Sequence, residues 1–337
     1  MERMKRIVEC VPNFSEGRDA EVIGRIVEAI RTAEADGGER VEVLHVDAGE
    51  AANRTVVTFM GTVEAVCEAA FRGVQTAGEL IDMRLQHGTH PRIGATDVLP
   101  LVPLSGITLE ECAMLARRLA ERIYRELGIP CYCYEAAAFT PERRNLAVCR
   151  AGEYESLPAK MDDPLRRPDF GPAHYDERTA RTGASVVGAR NLLIAVNFNL
   201  NTQSASLAQE IACDVREKGR KVDGTWVRGT LKGCKAIGWY IEEYGIAQVS
   251  MNITDIHATP LHKAYEEVCR AAERRGARIT GTEIIGLVPR SVLVEAGRYF
   301  AVSGERLAVN ESMELAIRSM HLDDLRPFNI DEKTLPI

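Results

Sequence analysis

The sequence predicts an α/β (α+β) chain built as two ferredoxin-like subdomains, residues 1–182 and 183–337, related by duplication, with a cleft between them. Three observations predict it. The order strand, helix, strand, strand, helix, strand occurs twice, the arrangement of a split βαβ unit. Local echoes align the copies: Val11-Pro-Asn-Phe14 precedes the first helix as Val196-Asn-Phe-Asn199 precedes its counterpart, and Thr96-Asp-Val-Leu-Pro-Leu-Val-Pro103 parallels Thr282-Glu-Ile-Ile-Gly-Leu-Val-Pro289. Between the copies, Pro158, Pro164, Pro168 and Pro172 break the periodicity.

In the first copy, apolar alternation predicts a strand over Arg6–Val11 and helical spacing predicts Ala20–Ala33, with Asp19 as N-cap. Strands over Val41–Asp47 and Arg54–Met60 follow, then a helix over Val63–Ile81, a strand over Thr96–Pro103 and a helix over Leu109–Leu127. Thr108 and Glu111 have the spacing of a capping box, Gly128 is placed to end the helix, and Pro130–Ala136 reads as a further strand. Residues 151–182 read equally as a linker between halves or as an ordered binding loop. In the second copy the strands are Asn191–Asn199, Cys234–Ile241, Ile246–Ile253 and Arg278–Val288. The helices are Ala205–Glu217, Leu261–Arg275 and Ser291–Phe300.

Composition narrows the function. The chain has 337 residues, 45% hydrophobic and 27% charged, which is ample for a core. No apolar run is long enough to span a bilayer, and Met1-Glu2-Arg3-Met4-Lys5-Arg6 leads into a strand interrupted by Glu9 and Pro12 rather than into a signal peptide. A cytoplasmic protein with no membrane partner is expected. The nine cysteines show no zinc-finger spacing and read as buried structural thiols, with Cys131 and Cys133 on one strand face. Forty-nine acidic against 42 basic residues give a net charge of −7, with no basic stripe for nucleic acid. Anion binding then requires arginines gathered locally; Arg54, Arg92 and Arg190 each sit beside loop sequence.

The segment richest in chemistry is His87-Gly-Thr-His90-Pro-Arg92-Ile-Gly-Ala-Thr-Asp97. Gly88, Pro91 and Gly94 make it a loop, held between a helix and a strand, where catalytic groups concentrate. Histidine titrates closest to neutrality, so proton transfer is expected here. Two histidines three apart also begin a metal site, but no HExxH or CxxC pattern completes one.

This segment joins Val8-Glu-Cys-Val-Pro-Asn-Phe-Ser-Glu-Gly17, Asp47-Ala-Gly49 with Asn53-Arg-Thr55, and Arg150-Ala-Gly-Glu-Tyr154. Further along stand Asp169-Phe-Gly-Pro172, Gly188-Ala-Arg190, Gly238-Trp-Tyr240 and Gly286-Leu-Val-Pro289. Together these motifs resemble the glutamate formimidoyltransferase family, from about residue 7 to residue 328. In animals that module is fused to a cyclodeaminase domain; with Ile337 as the last residue, no cyclodeaminase is expected here.

The resemblance implies transfer of a formimidoyl group from N-formimidoyl-L-glutamate to N5 of tetrahydrofolate, a step of histidine breakdown. Tetrahydrofolate is then a co-substrate, no metal is required, and a homodimer is the expected assembly. It implies that His90 is the essential histidine and that Asp47 belongs to the site. The family's folate-binding stretch maps to Gly171, Pro172, Ala173, His174, Tyr175, Asp176, Glu177, Arg178, Thr179 and Ala180.

The chemistry asks for these residue types. Attack of N5 on an amidinium carbon gives a cationic tetrahedral adduct. A base takes its proton, and the departing glutamate nitrogen must receive one; a neutral imidazole does both in turn. Asp47 beside His90 is expected to fix its tautomer and raise its pKa. Both substrates end in glutamate carboxylates, which suit arginine forks, with Arg92 and Arg54 as candidates. Two alternatives stay open: formyl transfer from 5-formyltetrahydrofolate to glutamate, and a folate-binding protein without turnover. Between the histidines, spacing alone leaves His87 as a competing base.

Overall fold

In the computed structural model, which describes residues 5–302 and 306–335, the chain divides after Asn191 into two compact units. The basic stretch at residues 1–4 lies outside the described residues.

The first unit begins with β1 (Ile7–Cys10) and β2 (Asn13–Phe14), then α1 (Ala20–Thr32), β3 (Glu42–Gly49), β4 (Arg54–Thr62), α2 (Val63–Leu80) and β5 (Thr96–Ser105). It continues with α3 (Leu109–Arg122), β6 (Cys131–Glu135), the short helices α4 (Leu146–Arg150), α5 (Leu157–Met161) and α6 (Glu177–Thr182), and β7 (Ser185–Ala189). β1 and β2 act as one interrupted strand lying between β4 and β5, and β3 pairs with β4 on its far side, all antiparallel. That is the split βαβ order. The sheet exceeds the expected four strands, because β7 pairs parallel with β5 and β6 parallel with β7. Ser185-Val-Val-Gly-Ala189 is a buried strand in what reads from sequence as the start of the second half. The expected boundary at 182–183 is therefore replaced by the division after Asn191.

The helices obey their end signals. Asp19 accepts from the amides of Glu21 and Val22, Thr108 and Glu111 close a capping box, and Gly128 stops its helix at φ 70°. The helix expected to run unbroken to Leu127 instead widens into a π-turn over Ile123–Leu127.

Strand alternation sorts the first sheet into two faces. Val8, Cys10, Phe14, Val57, Phe59, Leu99 and Leu101 share a core with α1, α2 and α3, and Cys131 and Cys133 join it. All nine cysteines are free. On the opposite face, Ile93, Val98, Tyr132, Tyr134 and Val186 pack with Leu157 of α5, so the proline-rich junction is an ordered cover rather than a free linker. The rest of that face, across β3, β4 and β1–β2, carries polar side chains: His45 opposite Thr58, Asp47 and Asn13 opposite Val56, and Glu9 opposite Met60.

The second unit contains β8 (Ile194–Leu200), α7 (Ala205–Val215), the hairpin β9 (Arg220–Val222) with β10 (Thr225–Val227), β11 (Cys234–Ile241), β12 (Ile246–Ile253) and α8 (Leu261–Arg274). Then come β13 (Ile279–Ile285), β14 (Val288–Pro289), α9 (Arg290–Phe300), α10 (Val309–Ser319) and β15 (Thr334–Leu335), which pairs with β14. Its sheet, β11–β12–β8–β13, is antiparallel throughout and repeats the split βαβ order of the first unit. Val196, Phe198, Val249, Met251 and Ile284 form its core with the helices.

Candidate active site

Backbone packing fixes the histidine loop between two other segments of the first unit. On one side stands the β3–β4 turn. Asn53, at φ 47°, accepts from the Gly17 amide at 3.0 Å and donates to the His87 carbonyl at 2.8 Å. The Thr89 amide and hydroxyl both donate to the Ala51 carbonyl. On the other side the Ala184 amide donates to the Ile93 carbonyl and the Ala95 amide to the Thr182 carbonyl. Gly88 and Gly94 permit these approaches, since a Cβ at either would overlap the carbonyl of Ala52 or Ala184.

Asp97 is the centre of the site. The β2–β5 register passes from Val98 to Thr96 across one step of β2, leaving Asp97 as the extra residue of a β-bulge. Bulges re-aim side chains. This one lets Asp97 meet Arg54, whose side chain belongs to the polar sheet face through its Nε bond to Asn13. The carboxylate, 0% exposed, accepts from the Ile93 amide at 2.9 Å and from Arg54 Nη1 at 2.6 Å. It lies 2.8 Å from Arg150 Nη2 at the end of α4. Burial opposes ionisation of Asp97, but the two guanidiniums outweigh it and hold its pKa below the usual carboxylate value. Burial, eased by Asp97, lowers Arg54 to about 10.

His90 stands beside this cluster, partly exposed, while His87 is exposed. The His90 Nδ1 lies 2.8 Å from the Pro91 carbonyl, which can only accept, so Nδ1 carries the proton and Nε2 the lone pair. A backbone carbonyl thus sets the tautomer, a task expected of Asp47. Burial, then the charges of Arg54 and Arg150, push the imidazole pKa down to about 3, against the opposing pull of Asp97. The expected value near neutrality, raised by a carboxylate, is corrected accordingly.

Asp47 lies on β3 on the polar face, opposite Val56 and two residues along β4 from Arg54; its carboxylate is 3.8 Å from His45 Nε2. Arg92 does not present a free fork. Its Nε donates to Gln86 Oε1, its Nη1 to Glu153 and Glu155, and its Nη2 to Glu155 and the Gln86 carbonyl. All five guanidinium protons have acceptors. The segment that this brace holds is the junction, since the Tyr154 amide donates to the Arg92 carbonyl.

The stretch 171–180 follows directly. Gly171 and Pro172 come after Phe170, which bridges Cys131 of β6. Ala173 and His174 are exposed, and His174 lies 3.6 Å from Asp162. The Tyr175 hydroxyl donates to that of Tyr154, whose own hydroxyl donates to the Ala180 carbonyl. Asp176 caps α6 through the Thr179 amide and hydroxyl, Glu177 pairs with Arg84, and Arg178 lies against Gly128.

Sequence reasoning passed over the ion pair of Arg150 with Asp97, although the Arg-Ala-Gly motif marked the position. It also passed over Glu9, 3% exposed on the polar face, whose carboxyl burial raises to about 7 against the pull of Arg190. Among the described residues no group of three His, Cys, Asp or Glu is arranged to hold a metal ion, and no helix is long and apolar enough to cross a membrane.

Comparison with known proteins covers nearly the whole chain. Residues 7–190 match the family model for the formiminotransferase domain, N-terminal subdomain, and residues 195–336 that for the formiminotransferase domain. The glutamate formimidoyltransferase of Streptococcus pyogenes serotype M1 is 42% identical over 88% of this chain and 94% of its own. That of Thermoplasma acidophilum is 40% identical over 87% of this chain and 92% of its own. The chicken (Gallus gallus) formimidoyltransferase-cyclodeaminase is 44% identical over 98% of this chain, which spans 60% of the length of that longer protein.

Proposed function

The chain belongs to the formiminotransferase domain family, and on that premise we propose that it is a glutamate formimidoyltransferase, moving the formimidoyl group of N-formimidoyl-L-glutamate to N5 of tetrahydrofolate. The observation that carries the reading is a neutral, oriented imidazole, His90, set against a buried carboxylate–diarginine cluster. That activity is the one named in two microbial relatives.

In the mechanism, N5 attacks the amidinium carbon and a C–N bond forms. His90 Nε2 takes the proton from the cationic adduct and returns it to the glutamate nitrogen, whose bond to carbon then breaks. Glutamate and 5-formimidoyltetrahydrofolate leave, and His90 ends neutral. An imidazole of lowered basicity, once protonated, gives its proton readily to the departing nitrogen. Asp47 faces the polar sheet surface as a second carboxylate complementary to the adduct's charge. Arg54 serves a substrate carboxylate, and residues 171–180 border the folate. No step calls for a metal, so turnover in EDTA is the expected outcome. A cytosolic homodimer remains part of the reading, resting on the family resemblance.

Mixing tetrahydrofolate with N-formimidoyl-L-glutamate and measuring glutamate release and 5-formimidoyltetrahydrofolate together tests the proposal. Product from 5-formyltetrahydrofolate and glutamate alone would favour formyl transfer, and tight folate binding without product from either donor would favour a carrier.

A further inference from the structure

Arg150 is the least satisfied charged group near His90. Its guanidinium makes no hydrogen bond among the described residues, only an ion pair with Asp97, and its Nε is buried without an acceptor. A buried donor left unmade is costly unless something arrives to accept from it. Charge points the same way. Arg54 and Arg150 share one carboxylate, so the cluster is one positive charge in excess where the two guanidiniums meet. The other charged groups nearby are engaged with their own partners: Glu153 and Glu155 hold Arg92, and Asp47 lies beside His45.

Resting on the reading of the chain as a formimidoyltransferase, we infer that Arg150, held in place with Arg54 by Asp97, binds the α-carboxylate of the formimidoyl-glutamate donor. Two chemical facts choose that group. The α-carboxylate is one carbon away from the nitrogen that His90 protonates, so an arginine at His90 is within its reach. The glutamate of the folate lies beyond the benzoyl ring, remote from N5. Asp97 is then a positioning residue: it fixes both guanidiniums while one positive charge stays in excess, leaving the Arg150 N–H groups not turned to Asp97 for the substrate. Binding also has a consequence for the base. The arriving anion offsets the cations that suppress protonation of His90, so the imidazole becomes a better proton acceptor only once the donor is seated.

The test uses the full-length chain, with Arg150→Met to remove the charge and Arg150→Lys to keep it without the fork. Calorimetric titration compares L-glutamate with L-isoglutamine, whose α-carboxylate is an amide, and with L-glutamine, whose γ-carboxylate is an amide. Steady-state kinetics compares the three corresponding formimidoyl donors. The wild type is expected to disfavour the α-amide by about 100-fold, the loss of one buried charged partner. Arg150→Met is expected to lose about as much with the full donor, mainly in KM, and to treat the α-amide as the wild type does. Arg150→Lys is expected to recover part of that loss. Histidine NMR should show the His90 pKa rising when glutamate binds to the wild type and not to Arg150→Met. A well-folded Arg150→Met that keeps wild-type preference between glutamate and isoglutamine overturns the inference. If the wild type binds glutamate in an Arg150-dependent way but gives no product with tetrahydrofolate, the functional reading fails while this subsite stands.

Discussion

Arg54 and Asp97 are 43 residues apart in the chain and meet at 2.6 Å inside the first unit. Two features produce the contact: the bulge that turns Asp97 to the polar face, and the strand pairing that brings Arg54 to Asn13. Asp97→Asn would leave Arg54 and Arg150 buried against each other with no counter-charge. A loss of about 3–5 kcal/mol is expected, the usual cost of breaking a buried pair from one side. Urea unfolding at pH 7 measures it, and a loss under about 1 kcal/mol would mean the cluster is not structural. The pH dependence has a definite sign. The folded pKa of Asp97 is depressed, so its stabilisation is present above the unfolded value near 3.9 and is lost as pH falls further. The Asn variant should lack that acid-sensitive part.

Arg92→Ala is expected to act on stability rather than on substrate affinity. The side chain is buried and all of its donors are used within the protein. Its partners Glu153 and Glu155 are substantially exposed, 41% and 60%, which discounts the ion pairs. A loss of about 2 kcal/mol is a fair expectation for the buried hydrogen bonds. Thermal unfolding beside steady-state kinetics checks this. A raised KM at unchanged stability would return Arg92 to the substrate site.

Much of this was legible in the sequence, and the physical reason is local. Asp19, Thr108 with Glu111, and Gly128 announced helix ends because caps and stops are short-range chemistry. The strand pair Cys234–Ile241 and Ile246–Ile253 was legible to the residue because alternation and a turn define it. β7 was not, since the five residues Ser185-Val-Val-Gly-Ala189 after a proline-rich stretch carry no period to separate strand from linker. The site divided on the same line. The loop that carries His90 was visible through its punctuation. The contact of Arg150 with Asp97 was not, because it is a tertiary encounter that in turn depends on a bulge. Arg92 was misjudged as a free fork for the same reason: Glu153 and Glu155 reach it from 61 and 63 residues away.

Glu9→Gln is expected to stabilise the protein in alkaline conditions. Burial raises the folded pKa of Glu9 to about 7. An acid with a raised folded pKa binds more protons folded than unfolded between about pH 4.3 and that value, so wild-type stability falls as pH rises through this window. A neutral amide removes that penalty. The melting temperature of the variant should exceed that of the wild type at pH 8 and approach it at pH 5. Equal melting temperatures at pH 8 would mean that Arg190 already compensates the ionised carboxylate.

His90→Ala should fold normally and lose turnover by about 100-fold or more, the common worth of a positioned general base. The imidazole is partly exposed in a loop whose form is set by the Asn53 side-chain amide and by backbone bonds at Ile93 and Ala95, none of which it makes. His87→Ala should retain most activity, because His87 is exposed and its contribution to the loop is its carbonyl. The pH profile separates the roles further. His90 must be neutral to accept a proton, and with a pKa lowered to about 3 it is neutral throughout the near-neutral range. The free enzyme's kcat/KM should therefore show no acid limb from His90 between pH 5 and 8. Removing the neighbouring cation in Arg150→Met should lift that pKa and bring the acid limb up toward the measurable range. A wild-type limb near pH 6.5 that vanishes in His90→Ala would mean that burial and the charges of Arg54 and Arg150 do not act on this imidazole as their placement requires, and loss of turnover in His87→Ala alone would move the base to His87.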